Sequence, residues 1–164
     1  MKTVKKRSQK QEKSVAKQFG GKQVIASGAL WFAHSDVRND KFLIECKTTE
    51  KDYYSLTAKV WEKIAEEAVR DHLRTPLMVI DVEDKDRLVV FNPKDFQTPL
   101  PEPYNCTANG TPKSFRVSLG QLDEASELFQ QYVYGRLFMI CGNKNNMLFY
   151  MRAKDFAEHF KEEL

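Results

Sequence analysis

Short apolar runs bounded by turn residues are the feature that most constrains the fold of this chain. They lie at residues 42–44, 77–80 and 88–91, the last within a β-rich run at 87–91, and runs of this length and composition indicate buried strands. The last two flank a charged turn at residues 83–86, which predicts a hairpin. Helical patterns separate other strands, so both hairpins and helical crossovers are expected. The sequence therefore predicts an α/β domain, with α+β character, built on a central mixed β-sheet flanked by helices.

The other predicted elements follow from hydrophobic spacing and from glycine and proline. A first helix over residues 8–19 ends at a glycine pair. A second helix begins at Ser55 as its N-cap, runs to about Arg74 and is ended by Pro76. Its buried side is expected to carry Leu56, Val60, Ile64, Ala68 and Leu73. Further strands are expected at residues 22–27, within 28–39, and at 41–47, 115–119, 137–140 and 147–150, and further helices at 122–133 and 154–163.

Size and composition bound the class of protein. With 164 residues, the chain is expected to be a single domain, residues 1–164. No apolar run approaches the roughly 20 residues that span a bilayer, and the basic start is not a secretory signal, so we expect a cytoplasmic protein without a membrane segment. The cysteines Cys46, Cys106 and Cys141 are widely spaced and are expected as reduced thiols. Residues 92–113 are proline-rich, which predicts an irregular segment.

The beginning of the chain is strongly basic, and residues 1–7 are expected to form a flexible arm. The net charge of the whole chain is only +3, so the clustering matters more than the total. Such a block can neutralise the phosphates of a nucleic acid, and a solvated terminus explains the pattern equally well. The candidate phosphate contacts are Lys5, Lys6, Arg7, Lys10 and, on the predicted second helix, Lys59. The alternative for the helix lysines is i,i+4 pairing, as between Lys63 and Glu67.

The strongest chemical signal lies at residues 34–47. Asp36 precedes a predicted strand that ends in Glu45, Cys46 and Lys47. Because strand side chains alternate, Glu45 and Lys47 lie on one face, roughly 7 Å apart at their backbones. If Asp36 leaves the neighbouring strand on that face, two carboxylates and an ammonium meet at one point. The Cys46 carbonyl then offers one more oxygen.

This set of groups suits the hydrolysis of a phosphodiester. Carboxylate oxygens hold Mg²⁺, for which Mn²⁺ can substitute, and leave sites for water and phosphate. The metal acidifies a water and offsets charge on the phosphate, and Lys47 can position that water, lower its pKa or neutralise the phosphate oxygens. Glu12, on the inward stripe of the first helix, can complete the metal shell or hold a metal-bound water. The catalytic candidates are thus Asp36, Glu45, Lys47 and Glu12, and the candidate metal ligands are Asp36, Glu45, Glu12 and the Cys46 carbonyl.

A solvated strand edge is the alternative interpretation of the same residues. Glu45 and Lys47 would then form an ion pair contributing about 0–1 kcal/mol, and the chain would be a DNA-binding or assembly module without activity. An Asp followed nine positions later by Glu-x-Lys occurs often by chance. Two features favour a functional site. Residues 42–44 are unbroken apolar, so nearby charges are costly unless partnered or functional, and Glu12 faces inward for no packing reason.

The order of these residues resembles that in one family of nucleases. The resembling residues, in chain order, are Glu12, Gly20, Gly21, Ser27, Gly28, Asp36, Glu45, Cys46 and Lys47. This order is similar to that of the archaeal-type Holliday junction resolvases and related phage resolvases, which belong to the PD-(D/E)XK nuclease superfamily. The resemblance covers roughly the first half of the chain. It implies a restriction-endonuclease-like fold, a homodimer, two metal ions and paired nicks in four-way DNA junctions.

The resemblance also implies a role for each matching residue. Asp36 and Glu45 would bind metal, Lys47 would be the catalytic lysine and Glu12 an auxiliary acid. Ser27 would contact the DNA backbone or assist catalysis.

The chain departs from the family at two places. Ser35 stands where the family usually has proline, and Ile25 and Ala26 stand where an arginine is common. A dimer would present two identical sites for paired nicks, and the apolar hairpin at residues 137–151 is its candidate surface. The sequence therefore predicts a Mg²⁺-dependent, structure-selective endodeoxyribonuclease. Another nuclease of the same superfamily, cutting duplex DNA or nicking it in repair, is the alternative enzyme.

Overall fold

The helices and strands of this chain position the residues of the candidate site. The computed structural model of the chain describes residues 2–24, 35–83, 85–99, 114–129, 139–143 and 146–164. The helices are α1 (Lys2–Gln18), α2 (Ala58–Arg70), α3 (Leu119–Phe129) and α4 (Ala153–His159), with a 3₁₀ turn at Pro93–Asp95. The strands are β1 (Lys22–Gln23), β2 (Val37–Arg38), β3 (Phe42–Thr49), β4 (Tyr53–Thr57), β5 (Thr75–Val82), β6 (Asp86–Phe91), β7 (Ser114–Ser118), β8 (Met139–Asn143) and β9 (Asn146–Arg152).

Most of the strands in the described ranges form one mixed sheet. Its order is β1-β2-β3-β5-β6-β9-β8. The β3–β5 pair is parallel, and the other neighbours in this sheet pair antiparallel. β4 and α2 form the crossover between the parallel strands, and β4 pairs with β7 in a separate two-stranded ribbon.

A buried cluster lies on each face of the sheet. On the first face, Phe19 just after α1 and Phe156 of α4 pack in one cluster with Ile44 of β3. On the second face, Trp61 of α2 packs in a cluster with Ile80 of β5, the β4–β7 ribbon and the start of α3. Alternate residues of each strand therefore divide between the two faces. The predicted α/β fold, a central mixed sheet flanked by helices, is confirmed. None of the helices in the described part has the length and apolar character that a membrane span requires.

Helix α1 begins six residues earlier than predicted and ends at Gln18, one residue before the predicted end and just ahead of the glycine pair. Its first turns, expected as a flexible arm, are helical, and they contain no glycine or proline that would interrupt a helix. At the other end Gly20 has a φ of +61°, and the Gly21 N–H donates to the Ala16 carbonyl at 2.7 Å. A Cβ atom at position 21 would lie 2.8 Å from the Arg38 carbonyl oxygen, so the close approach of β2 requires a glycine there.

The predicted start of the second helix is wrong. Ser55 lies in β4, and Thr57 is the N-cap of α2, where its side chain accepts from the Val60 N–H at 3.3 Å. Leu56 is fully buried between exposed neighbours, which is the alternation of a strand. Its strand pairs with β7, far along the chain, and a local sequence pattern does not show that partner.

The predicted end of the same helix is also wrong. α2 stops at Arg70, and Pro76 is the second residue of β5, near a strand start where proline is tolerated. Leu73, expected on the buried side, is 80% exposed and has a φ of 58°. Arg74 Nε donates to the Asn39 carbonyl at 2.6 Å, so the turn after α2 is held by the loop before β3.

Several other predictions are confirmed or corrected. The strands expected at residues 41–47 and 115–119 and both hairpins are present, and α4 ends at His159 rather than at residue 163. In β9, Leu148, Tyr150 and Met151 are buried inside the chain, so this half of the proposed dimer surface is not available to a partner. Ser27, Gly28 and Cys106 lie outside the described residues, as do parts of the segments expected at 22–39, 92–113, 122–133 and 137–151.

Candidate functional site

The pairing of β2 with β3 brings Asp36 beside Glu45. Its register joins Val37 to Ile44, and Asp36 immediately precedes Val37, so it lies beside the part of β3 that carries Glu45. The Asp36 N–H donates to the Ile44 carbonyl at 3.2 Å. Asp36 Oδ2 accepts from the Cys46 N–H at 2.8 Å. Asp36 therefore lies beside the segment of β3 that carries Glu45, Cys46 and Lys47.

Glu45 and Lys47 form a close ion pair on the same strand. Lys47 Nζ donates to Glu45 Oε1 at 2.6 Å, and the two side chains are 34% and 16% exposed, respectively. In the parallel pairing, Glu45 lies opposite Met78 and Lys47 opposite Ile80, both members of the second-face cluster. The pair thus lies at the carboxyl-terminal part of β3, on the side of the sheet that α2 covers.

The carboxyl group of Asp36 is electrostatically crowded. Burial, followed by the charges of Glu45 and Glu12, raises its pKa to about 6 against the lowering effect of the Cys46 N–H and Lys47. An acid with this pKa is easier to protonate than an ordinary aspartate. The carboxylates of Glu45 and Glu12 therefore both act on Asp36, with the ammonium of Lys47 nearby.

Lys47 is an ammonium ion at neutral pH. Burial lowers the pKa of Lys47, but the hydrogen bond and charge of Glu45 outweigh burial, so the pKa lies above its ordinary value. Burial also raises the pKa of the Tyr54 hydroxyl, and the charges of Lys47 and Glu45 act on it in opposite directions. Tyr54, which packs against the second-face cluster, is therefore a neighbour of the site.

Glu12 lies close enough to influence Asp36, but both of its oxygens are already hydrogen-bonded. Oε1 accepts from Ser8 Oγ at 2.9 Å and Oε2 accepts from Gln23 Nε2 at 2.7 Å. The carboxylate thereby ties α1 to β1. The structure brings Glu12 into the same region as Asp36, Glu45 and Lys47.

Gln11 is a residue of this region that the sequence interpretation missed. It is only 3% exposed, and its Nε2 donates to the Lys47 carbonyl at 2.7 Å and to the Val79 carbonyl at 3.4 Å. The amide therefore holds α1 against the carboxyl-terminal halves of β3 and β5. Gln11 precedes the buried Val15 by four residues, so helical spacing was the signal that could have found it.

The thiol of Cys46 is free and buried. Burial raises the pKa of this thiol far above its usual range, so it stays protonated and is a poor metal ligand. Any contribution of Cys46 to an ion would come from its carbonyl oxygen, as the sequence interpretation supposed.

The candidate DNA contacts lie on two helices. Lys5, Lys6, Arg7 and Lys10 belong to α1, on the first face, and the exposed Lys59 belongs to α2, on the second. On α2, Lys63 and Glu67 are paired at 3.7 Å, as the alternative interpretation expected for the lysines of this helix.

The donor chemistry of the site suits Mg²⁺ through two residues. Within the described ranges, no three His, Cys, Asp or Glu side chains come together in a way that would hold a metal ion. Mg²⁺ usually keeps several waters and is held by one or two carboxylates. Asp36 and Glu45 are the pair that fits this requirement, because their like charges are unfavourable side by side without a cation.

Comparisons with known proteins find similarity among solved structures but not among family models or curated proteins. No protein-family model matches the chain, and no curated protein matches it. Among solved structures, the chain is similar to Hjc, a Holliday junction resolvase from the archaeal hyperthermophile Archaeoglobus fulgidus. The TM-score is 0.46 and the identity 14%, over 68% of this chain and 88% of that one.

Proposed function

We propose that this chain is a metal-dependent endodeoxyribonuclease that hydrolyses phosphodiesters in branched DNA. The observation that carries the proposal is the convergence of Asp36, Glu45 and Lys47 at the end of β3. Two carboxylates and an ammonium in one partly buried region are the groups that phosphodiester hydrolysis needs around a metal ion.

An ordinary ion pair does not account for Asp36. Glu45 and Lys47 already neutralise each other at 2.6 Å, and Asp36 adds a second, partly buried carboxylate whose pKa is raised to about 6. Such crowding costs stability when both acids are ionised. A bound cation would offset that cost, which is the usual reason for retaining such an arrangement.

Asp36 and Glu45 would hold Mg²⁺, or Mn²⁺ in its place, with the Cys46 carbonyl as a further oxygen ligand and Glu12 as an auxiliary acid. The bound ion would supply a water of lowered pKa and stabilise charge on the phosphate. Lys47 is protonated, so we assign it the role of neutralising the phosphate oxygens in the transition state rather than that of a general base.

The four-way junction is the proposed substrate, and a homodimer the proposed assembly. Both follow from the order of Glu12, Ser27, Asp36, Glu45 and Lys47, which resembles that of the Holliday junction resolvases. In the same proposal Ser27 contacts the DNA backbone or assists catalysis. A nuclease without junction preference would use the same groups, and a binding module would use Glu45 and Lys47 as a simple ion pair.

The test is a cleavage assay on four-way junction, flap and linear duplex DNA with Mg²⁺, Mn²⁺ or EDTA. Glu45→Gln and Lys47→Ala are each expected to slow cleavage by about 10²- to 10⁴-fold while DNA binding in EDTA is retained. Glu67→Gln is the matched control, because it removes the carboxylate of an ordinary helix ion pair, and it should cut at the wild-type rate.

The outcomes separate the candidates. Metal-dependent cutting of the junction well above that of the duplex supports resolution, and equal rates on all substrates support a nuclease without junction preference. A wild-type protein that binds DNA but cuts none of these substrates with either metal would leave only the binding module.

A further inference from the structure

A cleft of about 900 Å³ opens on the first face of the sheet, away from the Glu45–Lys47 pair. It lies between α1, the β5–β6 hairpin and the start of α4. Its lining comprises Lys6, Arg7, Lys10, Gln11, Ser14, Gln18, Asp81, Lys85, Asp86, Arg87, Ala153 and Lys154. The sequence pattern had singled out only the α1 cations, and the fold adds three more from distant parts of the chain.

The cleft is strongly basic because its acids are already neutralised. Asp81 accepts two hydrogen bonds from Arg87, at 2.6 and 3.1 Å. Asp86 accepts from Arg152 Nε at 2.6 Å. Neither carboxylate is therefore left to neutralise the lysines around the cleft.

Three lysines are positioned to receive an anion. Lys6, Lys10 and Lys154 are exposed and make no ion pair with any residue in the described part of the chain. The other surface lysine of the cleft, Lys85, is paired with Glu83 at 2.8 Å. The lysines of α1 and α4 that face the cleft repel each other. A bound polyanion would attract all of them and so offset that repulsion.

The floor of the cleft is held in place and connects to the proposed site. Arg87 donates to Ser14 Oγ at 3.1 Å and to Gln18 Oε1 at 3.0 Å, which fixes α1 against β6. Gln11 lines the cleft and donates to the main-chain carbonyl of Lys47 at 2.7 Å. An anion bound here would lie on the other side of the sheet from the Lys47 side chain but next to its backbone.

We infer that this cleft is a second binding site of the chain, for the phosphate backbone of DNA. A run of phosphates fits better than a single phosphate, because the unpaired cations come from two helices and the cleft is large. The inference rests on the proposed function only in taking DNA as the source of the phosphates. It assigns Lys154 and Lys10 to one contact surface, which no sequence motif links.

The test measures DNA binding in EDTA, where cutting cannot interfere. Affinity of the full chain for a linear duplex is followed by fluorescence anisotropy over a series of salt concentrations. Each lost lysine–phosphate contact is expected to reduce the slope of log K against log salt by about 0.9. Lys10→Ala/Lys154→Ala should therefore lower the magnitude of the slope by about 2.

The matched control is Lys13→Ala/Lys161→Ala, which removes the same charge from exposed positions on α1 and beyond α4 that do not line the cleft. It should leave the slope close to that of the wild type. Equal slopes for the two double variants, or an unchanged slope for the cleft variant, would overturn the inference. Displacement of DNA by inorganic phosphate at constant ionic strength would also overturn it, because that outcome indicates a single-anion pocket. The binding measurement does not depend on cleavage. Unchanged cleavage in Glu45→Gln would therefore contradict only the proposed nuclease activity, and equal salt slopes would contradict only the proposed cleft.

Discussion

Two ion pairs lie at the same end of the sheet, on opposite faces, and they differ in how completely their charges are satisfied. Glu45 and Lys47 meet at 2.6 Å on the second face, and Asp81 and Arg87 meet at 2.6 Å on the first. β3 and β5 carry the two acids in adjacent, parallel strands. Contact distance alone does not distinguish the pairs.

In the Asp81–Arg87 pair, every charged group has a partner. Both carboxylate oxygens of Asp81 accept from Arg87, and the remaining guanidinium nitrogen donates to Ser14 and Gln18. A bidentate pair with further hydrogen bonds is a structural link, here between α1 and the β5–β6 hairpin. This pair has no charge left over.

Around the Glu45–Lys47 pair, the negative charge exceeds the positive charge. Lys47 makes a single contact with Glu45, and Asp36 adds a carboxylate whose pKa is raised to about 6. An excess of negative charge in a partly buried place is what a cation site requires and what a structural pair avoids. The comparison shows that leftover charge, rather than a short contact, separates a candidate site from a structural link.

The largest expected difference between the two pairs is in the stability lost when each acid is replaced by its amide. Asp81→Asn is expected to destabilise the fold by about 2 kcal/mol, because Arg87 loses its bidentate charged partner. Glu45→Gln should change stability by less than about 0.5 kcal/mol, because Lys47 keeps an acceptor and Asp36 loses a repelling neighbour. Urea denaturation in EDTA at neutral pH measures both. Similar losses in the two variants would mean that both pairs are structural.

The pH dependence of stability tests whether the ionised Asp36 carboxylate destabilises the fold. Its pKa, about 6, is raised above the 3.8 of an ordinary aspartate, so the folded state holds the proton more tightly than the unfolded state. The stability that this gives is present below about pH 4 and is lost as the pH rises through 6. In EDTA, Asp36→Asn should therefore be more stable than wild type by about 1 kcal/mol near pH 8, after allowance for partial solvent screening, and the difference should vanish near pH 4.

Addition of Mg²⁺ provides the control for Asp36. Binding to the folded state should raise the melting temperature of the wild type in proportion to site occupancy, and Asp36→Asn should gain much less. An equal rise in both proteins, or a greater stability of wild type than Asp36→Asn near pH 8 in EDTA, would contradict the assignment of Asp36 as a crowded metal ligand.

The smallest effect is expected at the exposed pair on α2. Lys63 and Glu67 lie 3.7 Å apart at i,i+4 spacing, and Lys63 is 65% exposed. Lys63→Ala should change the free energy of unfolding by only a few tenths of a kcal/mol, and less in high salt. Thermal unfolding at two salt concentrations measures this baseline. A change above about 1 kcal/mol would mean that this exposed pair also stabilises the fold and cannot serve as the baseline for the other two pairs.

Local patterns predicted those parts of the fold that are stabilised locally. The β5–β6 hairpin, the glycine-terminated end of α1 and the strand carrying Glu45 were all predicted, because their signals lie within a few residues. β4 was missed because Leu56, Ile64 and Ala68 also fit helical spacing. The pairing of β4 with β7, which decided the matter, joins segments about 60 residues apart.

Local sequence likewise predicted one part of the candidate site and not the rest. The alternation of β3 was enough to place Glu45 and Lys47 on one face, whereas the position of Asp36 depended on the register of β2 against β3. Gln11 was overlooked because a buried amide carries no charge signal. Its role appears only when α1 is packed on the carboxyl-terminal halves of β3 and β5.

By itself, the sequence determined the period-two order of β3, the end of α1 and the basic character of the first helix, because each depends on neighbouring residues. Only the tertiary structure decided that Asp36 lies beside Glu45 and that Lys10 and Lys154 border one cleft. Such proximities arise from pairing and packing between distant segments, and those are selected by burial of the whole core rather than by any local preference.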